Sequence, residues 1–171
     1  MIKRIKTHKT LSKFVEDSCC ENKICVTFDK AISANSYAII KVDNFYNSQH
    51  LGKETPASVD CLIVRKCING GYGLTLVELK KIQTGKGFDL DNVKQKFETT
   101  LNNFIKTRFR NPLDIDYSEV KLYFVSRQEI HKRDVGLKMD VLINLKFKFN
   151  EKKYMITPFM PNPTIKNCYS K

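Results

Sequence analysis

The 171-residue chain lacks any apolar run near the ~20 residues that span a bilayer, which excludes a membrane-spanning helix. Its start, MIKRIKTHKTLSKF, has no continuous apolar stretch of the secretory kind. It also uses Lys where a mitochondrial presequence is rich in Arg and Ser. None of the six cysteines forms a C-x-x-C pair and the three histidines miss zinc-finger offsets, so no zinc site is indicated. Without an export signal, Cys19, Cys20, Cys25, Cys61, Cys67 and Cys168 are expected to be reduced thiols of a soluble, cytoplasmic protein. There is no Gly-x-Ser-x-Gly elbow and no Cys-His spacing that supports catalysis. Gln83-Thr84-Gly85-Lys86-Gly87 lacks phosphate-loop spacing, although Lys86 could touch a phosphate backbone. No repeat, low-complexity tract or flexible linker divides the chain, so residues 1–171 read as one domain.

Acidic residues are scarce: 18 Asp+Glu stand against 30 Lys+Arg, for a net charge of +12. That imbalance favours an anionic partner, nucleic acid first, and no membrane role is expected. The basic residues cluster at Lys3, Arg4, Lys6, Lys9 and Lys13 and again at Lys132, Arg133, Lys138, Lys146, Lys148, Lys152 and Lys153. Phe147, Phe149 and Tyr154 lie among the second group. Lys86, Lys132, Arg133, Lys146 and Lys148 are therefore the candidate nucleic-acid contacts.

Hydrophobic spacing predicts a helix over 10–20 with Thr10 as N-cap, then strands over 24–29 and 37–43 and a polar loop over 44–57. Two strands, 59–66 and 73–82, flank Cys67-Ile68-Asn69-Gly70-Gly71-Tyr72, where Asn-Gly signals a hairpin. Asp89 caps a helix whose stripe is Leu90, Val93, Phe97, Leu101, Phe104 and Ile105, and Asn111-Pro112 stops it. A strand over 119–126 follows. Alternation over 141–149, a turn at Asn150-Glu151 and a strand over 154–159 add a C-terminal hairpin, and Pro158, Pro161 and Pro163 break the tail. The fold class is α/β or α+β.

The central hairpin carries the chemistry. Leu74, Leu76, Glu78 and Lys80 share one face of the second strand, and Asp60 shares its face with Leu62 and Val64. Antiparallel pairing brings the start of the first strand beside the end of the second, so Asp60 is expected near Glu78 and Lys80. Two carboxylates make a hard oxygen site for Mg²⁺, with room for water and a phosphate oxygen. An adjacent lysine can orient or deprotonate the attacking water or hold the phosphate.

Asp60, seventeen residues and then Glu78-Leu79-Lys80, on two antiparallel strands followed by a helix and a strand, resembles the PD-(D/E)XK nuclease superfamily. That group includes type II restriction endonucleases and archaeal Holliday-junction resolvases. The resemblance covers residues 10–126, a helix-strand-strand-strand-helix-strand core, and leaves 127–171 as a C-terminal extension. It implies a restriction-endonuclease-like mixed sheet flanked by helices. It also implies a Mg²⁺-dependent nuclease, with Mn²⁺ as a substitute ion and DNA rather than RNA as substrate. Asp60 and Glu78 would be metal ligands and Lys80 the catalytic lysine. The family often adds an acidic residue from its first helix, which matches Glu16, with Asp17 beside it. Gln95 matches a polar position that some members use. The family's Pro before the Asp is missing, since the residues here are Pro56-Ala57-Ser58-Val59-Asp60. A double-strand cut by so small a domain would call for a homodimer. The alternative is a catalytically inactive nucleic-acid-binding domain on the same fold. A basic module that binds an acidic protein accounts for the charge but leaves the motif unexplained.

Overall fold

A computed structural model describes residues 1–81, 88–127 and 133–169. A short helix α1 (Ile2–Thr7) leads through a 3-10 turn (Leu11–Phe14) into strands β1 (Val15–Glu16), β2 (Cys19–Glu21), β3 (Ile24–Phe28) and β4 (Tyr37–Lys41). Helix α2 (Val42–Asn47) precedes the central hairpin, β5 (Cys61–Lys66) and β6 (Tyr72–Lys80). Helix α3 (Leu90–Thr99) continues as a π-helix (Thr100–Arg108), followed by α4 (Arg110–Leu113) and β7 (Glu119–Ser126). Helix α5 (Arg133–Asn144) and strands β8 (Lys146–Phe149), β9 (Lys152–Phe159) and β10 (Thr164–Ile165) complete the order. Among the described residues no helix is long and apolar enough to cross a membrane.

The main sheet has seven strands in the order β1-β4-β5-β6-β7-β9-β8, and a second sheet runs β10-β3-β2. β1, β4, β5 and β6 pair antiparallel, β7 joins β6 and β9 in parallel, and β8 pairs antiparallel with β9, so the main sheet is mixed. Apolar residues on both faces make β6 an interior strand. Leu74 and Leu76 join Leu62, Val64, Leu122 and Phe124 in one core, closed by Val93, Phe97, Leu101 and Phe104 of the long helix. Val77 and Leu79 join Ile63 and Val125 in the other, closed by Cys19, Ile24, Val26 and Ile165 of the small sheet. Helices thus cover one face of the main sheet and the small sheet covers the other.

Several expectations need correction. Residues 10–20 do not form one helix, and Thr10 makes no side-chain cap. Leu11 packs on the helix-covered face of the main sheet and Cys19 on the opposite face, so one helical stripe cannot serve both. The strand expected through 43 ends at Lys41, and the supposed polar loop opens with α2, which buries Phe45 and Tyr46. The 141–149 alternation is only half strand. α5 runs to Asn144, burying Met139 and Leu142 while Val141 stays 54% exposed, and β8 begins at Lys146. The C-terminal hairpin exists, but β9 also lies parallel to β7, which makes it part of the main sheet. Pro158 lies inside β9, at a point where β7 is its one strand neighbour among the described residues, so its missing N–H is tolerated.

The cysteines are not reduced. Cys19 pairs with Cys61, Cys20 with Cys25 and Cys67 with Cys168. The first bond ties β2 to the start of β5, and the third ties the residue after β5 to the segment after β10. The small sheet is therefore fastened to the central hairpin at both ends of β5. The cytoplasmic expectation loses the reduced thiols that went with it.

Candidate active site

Register places the carboxylates. Lys66 pairs with Tyr72 across the turn and Cys61 with Val77, so the ladder runs out with Asp60 opposite Glu78. Gly70 and Gly71 both take positive φ, +91° and +67°, which an Asn-Gly-Gly turn accommodates without strain. Asp60 is 5% exposed and Glu78 fully buried. The Leu79 N–H donates to Asp60 Oδ2 at 2.5 Å. The Val59 N–H donates to the Thr100 hydroxyl at 3.2 Å, and that hydroxyl donates to the Lys96 carbonyl at 2.8 Å. Thr100 thus joins the approach to Asp60 to the long helix, at the residue where π hydrogen bonding begins.

Glu78 Oε1 accepts from Lys96 Nζ at 2.6 Å, while Glu78 Oε2 is buried with no hydrogen-bond partner among the described residues. A cavity of about 210 Å³ gathers Asp60, Glu78 and Lys80 with Lys96, Lys81, Leu79, Glu21 and Asn22. The motif triad therefore converges. Strand alternation would turn Lys81 to the face opposite Lys80, but β6 ends at Lys80 and Lys81 lines the same cavity.

Burial pushes Asp60 up to about 6, against the pull of Lys96 and the Leu79 N–H. Burial and then the charge of Asp60 push Glu78 up to about 8, against Lys96 and Lys80. Burial alone would lower Lys96, but Glu78 and Asp60 outweigh it and raise the ammonium. Both carboxylates lie above their unfolded values, so the stability they contribute is fully present below about pH 4. It is lost as pH rises through about 6 for Asp60 and about 8 for Glu78. In EDTA, the fall in melting temperature between pH 5 and pH 9 should be shallower for Glu78→Gln than for wild type. Identical slopes would mean that Glu78 titrates normally.

Other candidates separate from this cavity. Glu16 does not join it: it is exposed on β1 and accepts from Asn44 Nδ2 at 3.3 Å. Gln95 is exposed, because it lies opposite the apolar stripe of α3. Lys86 and Lys132 lie outside the described residues, and of Arg133 only the backbone, at the start of α5, is described. Lys146 and Lys148 project from β8 into solvent and, with Lys106, line a separate cleft of about 450 Å³. Phe147 and Phe149 alternate with them but are buried in the core, so they offer no stacking surface for bases.

Sequence reasoning missed Lys96 and Glu21. Lys96 and Thr100 flank the apolar stripe at i, i+4, a spacing that aims both toward the hairpin beneath. Glu21 reaches the cavity because Asn22 and Lys23, both left-handed (φ +48° and +63°), close a two-residue hairpin between β2 and β3. The expectation of a helix through Cys20 hid that turn.

Among the described residues no group of three or more His, Cys, Asp or Glu side chains is arranged to hold a metal ion. Mg²⁺, however, is commonly held by one or two carboxylates, with water and phosphate completing its shell. Asp60 and the orphaned Oε2 of Glu78 fit that pattern. These features define a mixed α/β protein with a buried carboxylate pair and three lysines in a cavity at the end of its central hairpin. No protein-family model matches the chain, and no curated protein and no solved structure is significantly similar to it.

Proposed function

We propose that this chain is a metal-dependent nuclease of the PD-(D/E)XK type that hydrolyses phosphodiester bonds, with DNA as the favoured substrate. The observation that carries the reading is the meeting of Asp60, Glu78 and Lys80 in one cavity, with a buried carboxylate oxygen that lacks a partner among the described residues. The order β4-β5-β6-α3-β7, with β7 parallel to β6, supports a restriction-endonuclease-like core. Asp60 and Glu78 would hold a divalent cation, which supplies Lewis-acid stabilisation of the phosphate and acidifies a bound water. The Leu79 N–H fixes one oxygen of Asp60, and the full burial of Glu78 keeps bulk water from its carboxylate. Lys80, partly buried in the cavity lining, orients the attacking water or the scissile phosphate. The charge of +12 supplies phosphate contacts away from the chemistry, with Lys146 and Lys148 among them. The DNA preference and a homodimer for double-strand cutting come from the family resemblance. Three disulfides favour an oxidising compartment as the place of action.

One observation favours a catalytically silent nucleic-acid-binding domain instead: Glu78 already has a cation, Lys96, on one oxygen. Cleavage of plasmid DNA separates the two readings. Mg²⁺ or Mn²⁺ should support cleavage. Ca²⁺, larger and looser in its coordination, should support binding with little cleavage. Undiminished cleavage in EDTA would overturn the metal mechanism.

A further inference from the structure

The cavity holds a lysine to which the proposed reaction gives no part. Lys96 Nζ lies 2.6 Å from Glu78 Oε1, with the glutamate side chain fully buried and the lysine 19% exposed. Its charge also acts on Asp60. The Thr100 hydroxyl binds the Lys96 carbonyl and accepts from Val59, so the backbone beneath this lysine is tied to the segment that carries Asp60. An enclosed, hydrogen-bonded pair of this kind is far harder to separate than a surface pair. Glu78 thus has one oxygen committed to an ammonium and the other with no partner among the described residues. A divalent cation approaching the free oxygen meets a full positive charge on the same carboxylate.

We infer that Lys96 is the resident counter-ion of this site and competes with a divalent cation for Glu78. The cation engages the carboxylate fully only as the ammonium leaves Oε1, and the released lysine is then free to pair with an incoming phosphate. The inference rests on the proposed metal site, and it makes Lys96 a positioning residue that acts through Glu78. It also reconciles the intact motif with the ion pair: the pair is the metal-free state of the site.

The test is calorimetric titration of the full chain with Ca²⁺ at pH 9, without nucleic acid, where protons compete least for the carboxylates. Wild type is compared with Lys96→Met, Lys96→Gln and Lys80→Met. Both Lys96 variants should bind Ca²⁺ about tenfold more tightly than wild type, or better. Lys80→Met removes a charge from the same cavity without breaking a bond to Glu78, and should gain no more than about threefold. Two substitutions at position 96 keep the test readable if one of them folds poorly. Ca²⁺ binding by the variants with none by wild type would also support competition. Wild-type binding that the Lys96 variants leave unchanged or weaken would overturn the inference and leave the metal site standing. An equal gain from Lys80→Met would overturn it too, as a mere effect of net charge. Failure of wild type and both Lys96 variants to bind Ca²⁺ would remove the metal site together with the inference.

Discussion

Replacing Lys80 by alanine should lower the cleavage rate by about 10²-fold or more while nucleic-acid binding and melting temperature stay close to wild type. A group that acts on the attacking water or the scissile phosphate works mainly in the transition state, so its loss appears in the rate and not in affinity. Lys80 ends β6, is only partly buried, and makes no ion pair with another described residue, so little folding energy depends on it. Binding should barely change, because one of 30 basic residues is removed. Lys81 is unsuitable as a control, since it lines the same cavity. Lys94 serves instead: it is exposed on α3, 3.9 Å from Glu98, and its loss should be neutral within experimental error. Cleavage by Lys80→Ala at the rate of Lys94→Ala would remove Lys80 from the mechanism.

Breaking the Cys67–Cys168 crosslink should be the most damaging change to stability. It spans 101 residues, and the Cys19–Cys61 crosslink spans 42. Chain-entropy arguments place such links at about 2–5 kcal/mol each, against a net domain stability of about 5–15 kcal/mol. Both partners of the longer link are 2% exposed, so its removal also leaves a poorly filled site between the central hairpin and the C-terminal segment. A Cys67→Ser/Cys168→Ser double variant should melt on the order of 10 °C below wild type. Full reduction by a dithiol in mild denaturant should lower stability further, because it also frees β2 from β5. Thiol titration of the unreduced, unfolded chain should find no free thiol. Six reactive thiols, or a melting temperature indifferent to reduction, would contradict the crosslinked structure.

The central hairpin was legible because local rules coincide there. Period-two alternation, an Asn-Gly turn and antiparallel pairing together put Asp60 opposite Glu78, and β5 and β6 lie within two residues of their expected bounds. The helix after it was legible for the same reason: an Asp89 cap, which accepts from the Asn92 N–H at 3.0 Å, followed by a continuous stripe. What stayed hidden depends on contacts between distant segments. Nothing near Cys67 in sequence indicates Cys168, and nothing near Glu21 indicates that the small sheet will lie across the end of β6. Lys96 was missed by one residue, because the direction of a helical side chain depends on where the helix lies over the sheet. In α5 two periods competed: Val141, Ile143 and Leu145 alternate as a strand would, yet burial of Met139 and Leu142 decided for helix.

Asp60 and Glu78 are proposed to form a metal-dependent phosphodiester-hydrolysing site. The most direct measurement is cleavage of supercoiled, linear and single-stranded DNA in Mg²⁺ by wild type and by Asp60→Asn, purified side by side. The substitution keeps the shape of a side chain that is 5% exposed and removes its charge, so the variant should fold and bind DNA as wild type does. Wild type should cut at least one of these substrates and stop on addition of EDTA, while Asp60→Asn should be about 10²-fold slower or worse. Equal cutting by the two proteins, or no cutting by folded wild type in Mg²⁺ or Mn²⁺, would contradict it.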